Sequence, residues 1–201
     1  RNFRELFESP EALKLPLQAS IVPLMNDAST TFDAVVVGGG PAGLTAAIAL
    51  ADAGARTVLL ARRAPYADNR TTALLGASVD LLERLDVWRR CQDSAAPLRV
   101  MRLVDDTGRL IRAPEVRFVS EEIGLEQFGF NIDNRSLVAA LEARAAELPG
   151  LTRVDDEATA VAPEDGVAAI VTRQDKMLGA RLVIGADGRQ SLCRDAAGIE
   201  V

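Results

Sequence analysis

The hexapeptide Gly38-Gly39-Gly40-Pro41-Ala42-Gly43 follows directly on the apolar run Ala34-Val35-Val36-Val37. Glycines 38, 40 and 43 have G-x-G-x-x-G spacing, which arises readily by chance in a chain with 15 glycines. The flanking residues make it specific. Between a buried strand and a helix, Gly38 makes the tight turn, Gly40 lets backbone approach a pyrophosphate, and Gly43 lets the helix pack closely on the sheet. Pro41 and Ala42 open the helix, where a proline is tolerated and unpaired N–H groups face negative charge. The chemistry this predicts is capture of a dinucleotide by its diphosphate.

The same pattern expects an acidic residue about 20 residues further on, at the end of the second strand, to accept hydrogen bonds from the adenosine ribose. Here that place is held by Ala61, followed by Arg62 and Arg63. Two readings stand side by side: the arginines meet a 2′-phosphate, as NADP would present, or they are solvated and the ribose is held less directly. Two Asp-Gly pairs also differ in setting. Asp165-Gly166 lies between two alternating runs and reads as a hairpin turn. Asp187-Gly188 ends the apolar run Leu182-Val183-Ile184 and precedes Arg189, Ser191 and Arg194. The carboxyl end of a strand is where α/β proteins bind ligands, but position alone leaves a ligand site and a plain turn equally open.

Composition narrows the possibilities. The 201 residues are 48% hydrophobic and 26% charged, enough to build the core of one substantial domain or two small ones. There is no histidine, so Ser-His-Asp and Cys-His nucleophiles, HExxH zinc sites and imidazole bases are excluded within this chain. A formal charge of −6 disfavours general nucleic-acid binding, which needs clustered cations. Cys91 and Cys193 form no CxxC pair and read as buried thiols of a reduced, cytoplasmic compartment. No stretch approaches the roughly 18–20 apolar residues that span a bilayer. Arg1 to Thr30, interrupted by Lys14, Pro16 and Pro23, lacks the form of a secretory signal and is set aside as a leader of unknown origin.

The elements that must position these residues follow from periodicity. Leu44, Ala47, Ile48 and Ala51 mark a helix that stops near Gly54, and Thr57-Val58-Leu59-Leu60 a second buried strand, completing a βαβ unit. A loop through Asp68-Asn69-Arg70-Thr71-Thr72 leads to a helix striped by Leu75, Val79, Leu82 and Leu85 and ending near Trp88. Residues 99–133 carry short apolar runs around Asp105-Asp106-Thr107-Gly108 and a run Phe128 to Ile132, an antiparallel insertion. Its Phe118, Phe128 and Phe130 suit either a pocket floor or plain core. Leu137, Ala140, Leu141 and Leu148 define a further helix closed by Pro149-Gly150. Ala158–Ala162 and Val167–Thr172 form a hairpin pattern, and a short helix runs from Ser191 to about Ala197. The fold class is α/β, a mostly parallel sheet with antiparallel pieces.

Three motifs occur in order: Gly38 to Gly43; Asp68-x-Arg70 ahead of Leu81-Leu82-Glu83-Arg84-Leu85; and Gly185-Ala186-Asp187-Gly188-Arg189-x-Ser191. With them, the chain from about Phe32 to Val201 resembles the FAD-dependent aromatic hydroxylases of the para-hydroxybenzoate hydroxylase class, in detail the UbiH-type hydroxylases of ubiquinone biosynthesis. The resemblance implies a Rossmann-like FAD-binding (GR2-type) fold over 31–201, with 99–133 as strands of a substrate-facing insertion, and an amino-terminal portion of a longer protein. It implies FAD as cofactor, NAD(P)H as reductant, and hydroxylation by molecular oxygen of a small aromatic, lipophilic substrate such as a phenolic ubiquinone precursor. Association with a membrane surface or a biosynthetic complex would follow from such a substrate. Residue by residue, Gly38, Gly40, Pro41, Ala42 and Gly43 would hold the pyrophosphate and Arg70 would reach the flavin side. Asn134 or the adjacent Arg135 would add a contact, and Asp187 with Gly188 would meet FAD and help NAD(P)H engage. Arg62 is counted with the cofactor contacts, and Ala61 departs from the family's usual acid. An NADP-linked Rossmann reductase and a non-catalytic nucleotide-binding module are the alternatives.

Overall fold

The computed structural model describes residues 31–63, 69–109, 112–162 and 166–200. The leader Arg1–Thr30, Asp68 of the second motif, Leu110-Ile111 and Asp165 of the first Asp-Gly pair lie outside the described residues. Two compact units divide the chain: one runs to Ala64 and resumes at Ala145, and the other is Pro65–Arg144.

The first unit begins with β1 (Thr31–Val37), α1 (Pro41–Asp52) and β2 (Thr57–Leu60). The second carries β3 (Thr71–Leu75), α2 (Gly76–Arg84), β4 (Ala95–Leu98), β5 (Val100–Leu103), β6 (Val116–Val119), β7 (Gly129–Asp133) and nearly all of α3 (Asn134–Ala146). The first unit then resumes with β8 (Leu151–Val154), β9 (Ala158–Ala162), β10 (Ala168–Thr172), β11 (Met177–Gly185) and α4 (Leu192–Ala196).

In the first unit six strands form one sheet in the order β8-β2-β1-β11-β10-β9. The first four are mutually parallel, whereas β10 and β9 join antiparallel. Continuous apolar runs mark strands covered on both faces. Val35, Val37, Val58, Leu60, Ile170, Leu178 and Ala180 pack on one side. Leu44, Ala47 and Ile48 of α1 are fully buried. The register Val37↔Gly185 and Val37↔Leu60 brings the ends of β1, β2 and β11 level. This alignment positions the site.

The second unit contains an antiparallel sheet, β3-β7-β4, and a two-stranded ribbon, β5-β6. Sequence reasoning made 71–72 loop and Leu75 helix. The structure makes Thr71–Leu75 a strand because its β-branched start finds pairing partners in β7, with Thr71↔Asp133 through Leu75↔Gly129. Strand β4 was also missed. It carries Pro97 and occupies a sheet edge, where a missing N–H is tolerated. The Trp88 and Phe130 rings meet with centroids 5.0 Å apart, so the half-buried Phe130 packs against buried Trp88. No helix among the described residues is long and apolar enough to cross a membrane.

Candidate functional site

Gly38 leaves β1 at φ +114°, a left-handed conformation that favours glycine. Its N–H donates to the Leu60 carbonyl (3.0 Å), while the Ala186 N–H donates to the Val37 carbonyl (2.8 Å). A β-carbon on Gly38 would stand 2.1 Å from the Ala186 oxygen, and one on Gly43 would stand 1.9 Å from the Gly38 oxygen and 3.1 Å from the Ala186 Cβ. The first and third glycines are therefore required by close contact among the loop, α1 and the end of β11. Gly39 also has a reason that the spacing did not reveal: its β-carbon would stand 2.8 Å from the Ala61 Cβ.

Gly40 differs. It caps α1 with extended backbone (φ −75°, ψ 177°), and a β-carbon there would meet nothing within 4 Å. Pro41 opens the helix, no side chain caps it, and no acidic residue lies in its first turn. The N–H groups of Ala42 and Gly43 and the helix dipole thus face an open approach, an arrangement suited to receiving an anion. A diphosphate fits this cradle because Gly40 leaves it open while Gly38 and Gly43 hold its walls together.

The Asp187-Gly188 pair stands beside this loop, since Ala186 is the residue against which Gly38 and Gly43 pack. Gly188 takes φ +88°. The Asp187 carboxylate accepts the Ser191 hydroxyl at Oδ1 (2.6 Å) and the Cys193 N–H at Oδ2 (3.2 Å). Ser191 in turn caps α4 by accepting the Arg194 N–H (3.0 Å). Burial acts most strongly on this carboxyl and raises its pKa. The hydrogen bonds from Ser191 and from backbone amides together outweigh burial and leave it below the ordinary aspartate value. Burial and the neighbouring Asp187 charge push the Cys193 thiol up to about 11. A β-carbon on Gly185 would stand 2.6 Å from the Cys193 Cβ, so α4 packs tightly on the strand end.

Arg62 forms an ion pair with Glu157 (2.8 Å), which also holds Arg173 (2.6 Å). The Arg63 N–H donates to Asp155 (2.6 Å). In the second unit, Arg70 is exposed and its carbonyl accepts the Asn134 N–H (3.0 Å). Asn134 is buried, and its side-chain oxygen accepts a short hydrogen bond from the Thr72 hydroxyl. The first unit thus gathers Gly38 to Gly43, Asp187 and Gly188, while Arg70 and Asn134 are joined within the second. Ala186 and Ser191 lay inside the third motif, but their packing and capping roles required the sheet register.

The profile of the FAD binding domain family matches residues 31–201. Ubiquinone hydroxylase UbiL of Rhodospirillum rubrum is 32% identical over 187 residues, covering 89% of this chain and 42% of that protein. The 3-demethoxyubiquinol 3-hydroxylase of Escherichia coli is 31% identical over 176 residues, covering 83% and 44%. The chain therefore spans under half the length of these curated relatives. The crystal structure of p-nitrophenol 4-monooxygenase PnpA from Pseudomonas putida shares the fold, with a TM-score of 0.69 at 20% identity over 84% of this chain and 44% of that one. With a diphosphate cradle at the end of β1 and this match across the whole described region, the chain belongs to the FAD binding domain family.

Proposed function

We propose that this chain is the FAD-binding part of a monooxygenase that hydroxylates an aromatic ring using NAD(P)H and molecular oxygen, with a lipophilic phenolic ubiquinone precursor as substrate. The observation that carries this reading is the meeting of two motifs far apart in sequence: the glycine loop packs directly on Ala186 of the Asp187-Gly188 motif. A plain dinucleotide loop does not require that second motif. Two of this chain's curated relatives are a ubiquinone hydroxylase and a demethoxyubiquinol hydroxylase, which supports the same substrate class.

When bound, FAD supplies the redox and oxygen-transfer chemistry, which is why a chain without histidine can serve such a reaction. The protein's own residues bind and orient. Gly40 and the start of α1 hold the diphosphate, and Gly38 and Gly43 keep that loop against β11. Asp187 fixes the loop that follows β11 through Ser191 and Cys193. For Arg70 and Asn134 the support is the motif resemblance, to which geometry adds that Asn134 fixes the Arg70 backbone. On the ribbon, Met101↔Phe118 and Leu103↔Val116 pair across one face with all four side chains exposed. They offer apolar surface suited to an aromatic substrate, in keeping with a substrate-facing role for residues 99–133. A substrate of this kind would be drawn from a membrane surface.

The NADP-linked reductase reading drew on Arg62 and Arg63, and the ion pair of Arg62 with Glu157 weakens that motive. The test is the visible spectrum of the purified protein after FAD reconstitution, followed by NADH- and NADPH-dependent oxygen uptake with a prenylated phenol. Flavin absorbance is expected of this chain after reconstitution, and substrate-stimulated uptake only when it is supplied with the carboxyl-terminal remainder of the monooxygenase. Absence of a flavin band after reconstitution would overturn the reading.

A further inference from the structure

The adenosine-ribose position of this site lacks its carboxylate, and the structure brings a different group to it. Arg153 lies on β8, parallel to β2 in the register Leu59↔Arg153 and Leu60↔Val154, and the Ala61 N–H continues the ladder to the Val154 carbonyl (3.1 Å). Beyond the strand end, the side chain reaches the phosphate loop. A β-carbon placed on Gly39 would stand 3.5 Å from Arg153 Nη2 as well as 2.8 Å from the Ala61 Cβ. The guanidinium is half-buried and borders the second glycine of the loop, immediately before the open approach at Gly40.

We infer that Arg153 is a cofactor-binding residue that takes over the role of the missing acid, donating hydrogen bonds to the adenosine ribose and its adjoining phosphate in FAD. This assignment rests on FAD being the ligand of the loop. A carboxylate at this place accepts from ribose hydroxyls, whereas a guanidinium has only donors, so it binds hydroxyl and phosphate oxygens and adds a full positive charge near the diphosphate. The residue at 61 decides whether this works. A carboxylate there would stand beside Arg153 and compete for its donors, and Ala61, 8% exposed, supplies none. The neighbouring arginines do not duplicate the role by position: of the described side chains, a β-carbon on Gly39 would meet only Ala61 and Arg153 within 4 Å.

The test compares the protein with Arg153→Gln, Arg153→Lys and, as a control outside the site, Arg173→Gln. Dissociation constants for FAD, ADP and FMN are measured by fluorescence and calorimetry at two salt concentrations. Arg153→Gln is expected to weaken FAD and ADP about tenfold, leave FMN unchanged and flatten the salt dependence of ADP binding. Arg153→Lys should lose about threefold while keeping most of that dependence, and Arg173→Gln should stay within twofold. If Arg153→Gln does not fold, the loss in Arg153→Lys against Arg173→Gln decides alone. Unchanged ADP affinity in the folded Arg153 variants, or an equal loss in Arg173→Gln, would overturn the inference. Failure of the unmodified protein to bind FAD or ADP would instead overturn the cofactor reading on which it rests.

Discussion

A β-carbon on Gly43 would stand 1.9 Å from the Gly38 oxygen, whereas one on Gly40 would meet no atom within 4 Å. The two glycines of one motif therefore respond differently to substitution. Gly43→Ala has to move backbone, and the strain should lower stability by about 1–3 kcal/mol, partly offset by the roughly 1 kcal/mol helix preference of alanine over glycine. Gly40→Val sits at an N-cap with extended backbone, so its cost to folding should be about 1 kcal/mol or less. Its side chain instead enters the space a diphosphate needs, and FAD affinity should fall at least about a hundredfold, roughly 2.7 kcal/mol. Urea unfolding paired with FAD titration separates the two. A Gly40→Val protein that folds and binds FAD normally would remove this loop from the cofactor site. The spacing G-x-G-x-x-G and the separate reasons for its glycines were legible in the sequence, but the atoms that enforce them were not, because Ala186 reaches Gly38 and Gly43 from the end of β11.

The elements that proved legible are those whose signal is local. The run Ala34 to Val37 follows from unbroken apolar character, and the stripe Leu44-Ala47-Ile48-Ala51 and the hairpin around Gly166 from repeats of 3.6 and two residues. Strands β3, β4 and β8 were missed because each is four or five residues long and is specified by its neighbours rather than by its own pattern. At the carboxyl end of β11, Asp187 ties the strand to α4 through Ser191 and Cys193, and its folded pKa lies below the ordinary value of 3.8. The unfolded carboxyl binds a proton first as pH falls, so Asp187 contributes stability that is complete above 3.8 and is lost as pH drops through its lower folded value. The stability difference between the protein and Asp187→Asn should accordingly be largest near pH 6 and shrink toward about pH 3, as read by urea unfolding at a series of pH values. Parallel curves would mean that the carboxylate is not held as the geometry indicates.

At the scale of the whole molecule, two units divide the proposed contacts: the diphosphate cradle belongs to the first, and Arg70 with Asn134 to the second. ADP at about a hundred times its dissociation constant should stabilise the fold by roughly 2.7 kcal/mol. In hydrogen exchange it should slow the amides of 38–44 without affecting 70–75. FAD should slow both stretches if Arg70 and Asn134 meet the flavin half, and identical protection by the two ligands would take those residues out of the contact set. The sequence by itself determined the βαβ unit, the glycine loop and the family resemblance, because turn sterics and side-chain period act over a few neighbouring residues. It also presented Arg62 and Arg63 as the cations next to Ala61. Only the tertiary structure decided that Arg62 turns to Glu157 while Arg153 comes to the loop from a strand more than ninety residues after Ala61. The physical reason is that the side chains meeting at a strand end are selected by the register of strands distant in sequence, and β2 acquires β8 as its neighbour only when the sheet forms.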